Sequence, residues 1–207
     1  MPNPITLANR HFEDLRPGET VALGPVTVTA EAIKTFARQF DPLPFHLDED
    51  AARRSLLGGL AASGWQTGAL TLRMLADALL AEIAALGLAR VENLKWRKPL
   101  LAGDTLAGTA RIAALHRAPE QPEIGLVSLD FNMQNQKGET VMTLRLVEKV
   151  AVRDPAAAPS ADAFVSGPYG DSGPHDGRVF AASESADAGG SSDAGGGGDG
   201  GGGGGGE

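Results

Sequence analysis

Apolar residues recur along this chain with two different periods, and the switch between them predicts the fold. After Thr29, a good helix N-cap, Ile33, Phe36, Ala37 and Phe40 fall at i, i+3, i+4 and i+7. That is one stripe of a helix of about three turns, stopped by Asp41-Pro42. Asp48 caps a short second helix running through Arg53-Arg54, which Gly58-Gly59 closes. The longest apolar segment then predicts a helix over residues 64–86, closed by Gly87. Around it only Gln66, Arg73 and Asp77 share a polar stripe, while Leu70, Leu72, Leu75, Leu79, Leu80 and Ile83 cover most of the remaining circumference. A helix apolar over most of its surface must be wrapped.

The segments that can wrap it have a period of two. Residues 20–27, with β-branched positions around a Gly24-Pro25 break, precede the helices; 89–96, 105–117, 124–135 and 139–150 follow them. Val127, Leu129, Phe131 and Met133 alternate with Ser128, Asp130, Asn132 and Gln134, so one face is buried and the other polar. Lys137-Gly138 supplies a hairpin turn, after which Met142, Leu144 and Leu146 continue the pattern. This order predicts an α+β fold, a curved antiparallel sheet wrapped around one long central helix. Arg73, Asp77 and Glu82 interrupt the apolar run 69–88, which therefore reads as a buried helix and not a membrane span.

Composition divides the chain. Of 28 glycines, 17 lie after residue 166, and the last eighteen residues are Gly, Ser, Asp, Ala and Glu alone. Residues 1–155 are expected to form the domain and 156–207 a disordered acidic tail, since Gly, Ser and Asp bury too little apolar area to offset chain entropy. The domain carries 17 Lys and Arg against 18 Asp and Glu, so all but one unit of the overall charge of −8 belongs to the tail. A near-neutral domain offers no footprint for nucleic acid. The chain has no cysteine, which excludes disulfide and thiolate chemistry. MPNPITLANR has neither a basic start nor an apolar run, so no signal peptide is expected and a cytoplasmic location is.

Candidate chemistry concentrates at FDPLPFHL. Asp41 and His46 stand five apart with Pro42 and Pro44 between them, and the prolines are expected to hold the loop in stiff extended or turn geometry. A carboxylate and an imidazole on such a loop, close before a helix whose first N–H groups lack partners, form an acid–base site facing an anion hole. Gly64 opens that helix, and its missing Cβ is expected to let a carbonyl approach the helix N-terminus. Taken singly, His46 reads as a routinely bonded histidine and Asp41 as a helix-end residue; loop, spacing and helix start together favour the site. Ser63 lacks a Gly-x-Ser-x-Gly context and reads as a helix cap or pocket hydroxyl, and Trp65 as a pocket or interface wall. Arg97 and Lys98 read either as phosphate contacts or as a solvated strand end. The chemistry requires neither metal nor redox cofactor.

FEDLRPGE, FDPLPFHLDEDAA, GGLAASGWQTG and WRKPLLAGDTL, with NQKGE at the last hairpin, together resemble the MaoC-like dehydratase family over residues 11 to about 150. This is the branch of the hot-dog fold that includes the (R)-specific enoyl-CoA hydratases, lyases of fatty-acid metabolism. The resemblance implies that Asp41 and His46 activate water for addition across an enoyl-CoA double bond, and that the Gly64 N–H meets the thioester oxygen. Leu43 stands where the hydratase loop has Asn, and Ser63 where the family has His; both are expected on the substrate side of the pocket. The resemblance further implies coenzyme A as part of the substrate, whose phosphates Arg97 and Lys98 would meet if they are not merely a solvated strand end, and a homodimer or larger assembly of dimers. Two other readings stay open: a hot-dog acyl-CoA thioesterase and a non-catalytic acyl-thioester binding module.

Overall fold

The apolar alternation of residues 124–134 has consequences on both sides of the sheet, because this segment becomes its central strand. The structure is a computed structural model that describes residues 10–117, 120–156 and 163–164. Its strands are β1 (Thr20–Thr27), β2 (Ala85–Trp96), β3 (Thr105–Arg117), β4 (Ile124–Gln134), β5 (Thr140–Ala151) and the short β6 (Ala163–Phe164). They form one antiparallel sheet in the order β1-β3-β4-β5-β2, with β6 added to β3 at Ala114 and Leu115. The helices are α1 (Ala30–Phe40), α2 (Pro44–Leu47), α3 (Glu49–Arg54) and α4 (Gly64–Leu75). On the inner face Leu129 lies between Ile112 and Leu146, and Phe131 between Ala110 and Leu144. These rows are buried with Met74, Leu75, Leu79 and Ile83 from α4 and its continuation. The hot-dog arrangement expected from the sequence is thus the observed one. Residues 157–162 and 165–207 of the expected tail lie outside the described residues.

The central helix is shorter than residues 64–86. Regular α-helical bonding ends at Leu75, a π turn spans Ala76–Leu80, and the Ala81 N–H reaches the Ala76 carbonyl at 3.0 Å. Other strands then claim the backbone: the Ala84 N–H bonds Arg10 and the Ala84 carbonyl accepts from Ala151, both at 2.8 Å. Gly87, with φ 118°, sits at a register shift inside β2 and does not cap the helix. Leu86, Leu88 and Val91 consequently lie exposed along an edge strand. The predicted polar stripe also needs correction. Arg73 and Asp77 pair at 2.8 Å on the surface, but Gln66 is buried and its side-chain N–H donates to the Ala32 carbonyl at 3.1 Å.

The polar face of β4 is not simply solvated either. Asp130 is only 6% exposed, because the Arg145 guanidinium grips it with two bonds of 2.6 and 2.9 Å. Arg111, Asp130, Arg145 and Glu92 are successive cross-strand neighbours, a row of alternating charge across four strands. The hydrogen bond that Arg145 donates to Asp130, aided at longer range by Glu92, holds its guanidinium above the ordinary value. Asp130→Ala leaves Arg145 largely buried without its partner, and should lower unfolding free energy by about 1.5–3 kcal/mol in a denaturant titration, as for a lost hydrogen bond to a charged group. Retention of wild-type stability would show that the pair contributes nothing.

Glu148 is a second buried carboxyl, on the inner-face row with Val127. Burial raises its pKa above the usual glutamate value, against a smaller opposing effect of the Gly87 N–H. A raised carboxyl contributes stability that is complete below the unfolded-state value and is lost as pH climbs through the folded-state value. Glu148→Gln removes that loss. The variant should melt higher than wild type at neutral pH, with the difference shrinking as pH falls toward about 4. Thermal scans across that range read this directly, and identical pH profiles would refute it.

Candidate active site

Helix α1 delivers Asp41 to its position. The Thr29 hydroxyl accepts the Ala32 N–H at 3.1 Å to start the helix, and Pro42 prevents it from extending past Phe40. Asp41 is therefore the C-cap, its N–H still donating to the Ala37 carbonyl at 3.0 Å. Pro44 does not sit in the stiff loop of extended or turn geometry that was expected but starts a helix. At the first position of a helix its missing N–H is no loss, and it opens the single turn α2 with Leu43 as the N-cap. His46 is on that turn. Asp48 ends it and caps α3 through the Ala51 N–H at 2.7 Å.

The His46 ring is buried against the edge of Phe45, and its two nitrogens have different partners. Nδ1 lies 2.7 Å from the Ala61 carbonyl, and Nε2 lies 3.4 Å from Oδ2 of Asp41. A carbonyl only accepts, so Nδ1 carries a proton, and whenever the ring is neutral Nε2 presents its lone pair toward Asp41. Ala61 can serve because its strip is pinned to a neighbouring segment: the Ala62 N–H bonds Leu100, and the Ala102 N–H bonds Leu60, both at 2.8 Å. No pattern in the sequence pointed to this carbonyl.

The same strip runs into α4. Buried Ser63 is the N-cap, its hydroxyl accepting the Trp65 N–H at 3.2 Å. The Gly64 N–H, first of the helix, has no hydrogen-bond partner among the described residues. A cleft of about 460 Å³ brings together Asp41, His46, Ser63, Gly64, Trp65, Arg97 and Lys98. Leu43, expected in the pocket, does not line it. Held extended before Pro44, it turns its side chain to the surface, 45% exposed.

Trp96 lines the cleft too, and it changes the meaning of Gly64. A Cβ on Gly64 would lie 2.6 Å from Cε2 of Trp96 and 2.7 Å from its Nε1. The space freed by glycine is filled by this indole, and not left for a substrate carbonyl as the sequence had implied. The Trp96 N–H donates to the Gly64 carbonyl at 3.0 Å, and its ring meets Trp65 edge-on at 5.4 Å. Arg97 and Lys98 differ from one another. Lys98 pairs with Glu139 at 2.5 Å and holds that carboxylate below its ordinary pKa. The Arg97 guanidinium has no ion pair or hydrogen bond among the described residues, while its backbone N–H anchors to the Val141 carbonyl at 2.7 Å. No cluster of three or more His, Asp or Glu side chains suited to a metal occurs among the described residues. Nor is any helix there long and apolar enough to cross a membrane.

Residues 13–122, more than half of the chain, match the family described as MaoC like domain. The chain belongs to the MaoC-like dehydratase family. A MaoC-like dehydratase from Rhodospirillum rubrum is 40% identical, covers 70% of this chain and 98% of its own, and superposes with a TM-score of 0.64. The (R)-hydratase PhaJ1 from Pseudomonas aeruginosa, at 21% identity over 74% of this chain and 96% of its own, shares the fold with a TM-score of 0.56. The uncharacterized protein YdeM of Bacillus subtilis (strain 168) is 25% identical over 58% of this chain and 84% of its own length. Family membership makes the protein an enzyme of the hydratase/dehydratase type. The matched residues include Asp41, His46, Gly64 and Trp96.

Gly64→Ala should drive the indole of Trp96 out of its seat. The expected result is a loss of about 1–3 kcal/mol in stability, as for overpacking elsewhere, together with a changed near-ultraviolet tryptophan signal. An unchanged spectrum at full stability would mean that the ring does not need the glycine.

Proposed function

We propose that this MaoC-like dehydratase hydrates an enoyl-CoA thioester, or dehydrates the corresponding hydroxyacyl-CoA, at the cleft between α2 and the start of α4. The observation that carries the reading is one cleft lined by Asp41, His46 and Gly64, with Nε2 of His46 3.4 Å from the Asp41 carboxylate and a Gly64 N–H unpaired among the described residues. In the hydration direction Nε2 takes a proton from water as the oxygen attacks the β-carbon of the conjugated thioester. The double-bond electrons move to the thioester oxygen, where the Gly64 N–H and the helix N-terminus stabilise the developing charge. Asp41 orients the water and steadies the imidazolium, which then returns the proton to the α-carbon. One water is consumed and every proton is accounted for.

Exposed Arg97, unpaired among the described residues, suits a coenzyme A phosphate, with Lys98 beside it already compensated by Glu139. The exposed Leu86, Leu88 and Val91 on edge strand β2 suit pairing with a second copy, giving a homodimer. A cytoplasmic site of action goes with a chain free of cysteine.

Crotonyl-CoA and longer enoyl-CoAs should lose the absorbance of the conjugated thioester without release of thiol. Asp41→Asn and His46→Gln should each lower the rate at least about a hundredfold, as when a general acid or base is lost. Thiol release would favour the thioesterase reading. Full activity in both variants would remove Asp41 and His46 from the chemistry, and binding of the thioester without turnover would leave a non-catalytic module.

A further inference from the structure

The Gly64 N–H is useful only if its direction is fixed, and glycine is the residue least able to fix it. α4 orients the peptide plane, since the Ser63 carbonyl opposite the Gly64 N–H accepts from the Thr67 N–H at 3.1 Å and the Thr67 hydroxyl at 3.3 Å, but it places nothing against Cα of Gly64. We propose that Trp96 is the positioning residue for the Gly64 N–H, an inference that rests on the hydratase reading above.

Three contacts make the case. The indole N–H of Trp96 donates to the Gly64 carbonyl at 3.0 Å, using a lone pair that the first turn of the helix leaves available. The ring lies against Gly64, with three of its atoms 2.6 to 3.0 Å from where a Cβ would stand. It also meets Trp65, the ring centres 5.4 Å apart and the planes at 78°. Trp96 thereby holds the carbonyl and Cα of Gly64 while Thr67 holds the preceding peptide, so the two together fix where the Gly64 N–H stands in the cleft.

The support for Trp96 comes from the sheet. It is the last residue of β2, opposite fully buried Met142 of β5, and the next N–H, that of Arg97, is tied to Val141. The helix end is thus aligned by a strand some thirty residues further along the chain. Trp65 differs in its partners more than in its exposure, 64% against 46% for Trp96: its indole N–H has no partner among the described residues, so it serves as a wall.

Trp96→Phe keeps an aromatic ring and removes the N–H. With enoyl-CoA as substrate, kcat should fall about tenfold while KM stays within about twofold, the pattern of a misaligned donor and not of lost binding. The unfolding midpoint should stay near wild type, and the Gly64 amide resonance should shift and exchange faster with solvent. A wild-type kcat, or a loss confined to KM, would overturn the proposal. If the wild-type protein hydrates no enoyl thioester, the functional reading falls. The Gly64 amide then decides the coupling alone: faster exchange in Trp96→Phe supports it, and an unchanged amide refutes it.

Discussion

The hydrogen bond between Nδ1 of His46 and the Ala61 carbonyl joins the two halves of the cleft. On one side stand α1 and the single turn α2, which carry Asp41 and His46; on the other stands the strip that becomes α4. The donor and the carbonyl are both buried, so separating them would leave two unsatisfied polar groups at a cost of about 1–3 kcal/mol. The same bond selects the tautomer and so decides which nitrogen of His46 faces Asp41. Support and chemistry are set by one contact.

Around that contact the fold supplies rigidity from two directions. Leu60 to Ala62 are bonded in register with Leu100 to Ala102, which prevents the Ala61 carbonyl from drifting. On the far side, β2 brings Trp96 against Gly64, so the start of α4 is gripped by the sheet that its later turns pack against. The donors that α4 presents to the cleft are therefore products of the tertiary structure, since a glycine at the first helical position has little preference of its own. The outer face of the sheet is held by a different kind of force. The Arg111, Asp130, Arg145 and Glu92 row couples four strands through charge, while the inner face couples them through apolar packing.

Much of this was legible in the sequence, and the remainder was not for identifiable reasons. Period-two alternation in β4 and β5, the Thr29 cap and the Asp48 cap are local signals, and each element formed where they pointed. Helix α4 was overextended because residues 81–88 are apolar under either period, and only the long-range claims of Arg10 and Ala151 on Ala84 turn them into an edge strand. Asp130 looked solvent-facing because alternation gives the face of a residue but not its cross-strand neighbour. Leu43 was misplaced because the second proline began a helical turn. Ala61 and Trp96 were invisible: a backbone carbonyl has no residue-type signature, and the register that brings Trp96 over Gly64 emerges only once β2 pairs with β5.

The account rests on His46 holding its proton on Nδ1 and offering Nε2 to the cleft. Two-bond nitrogen–proton correlation spectra of the 15N-labelled protein, recorded where the His46 ring is neutral, measure this directly. The expected pattern is a pyrrole-type Nδ1 and a pyridine-type Nε2. A pyrrole-type Nε2 would place the proton in the cleft, break the bond to Ala61, and contradict the proposed base.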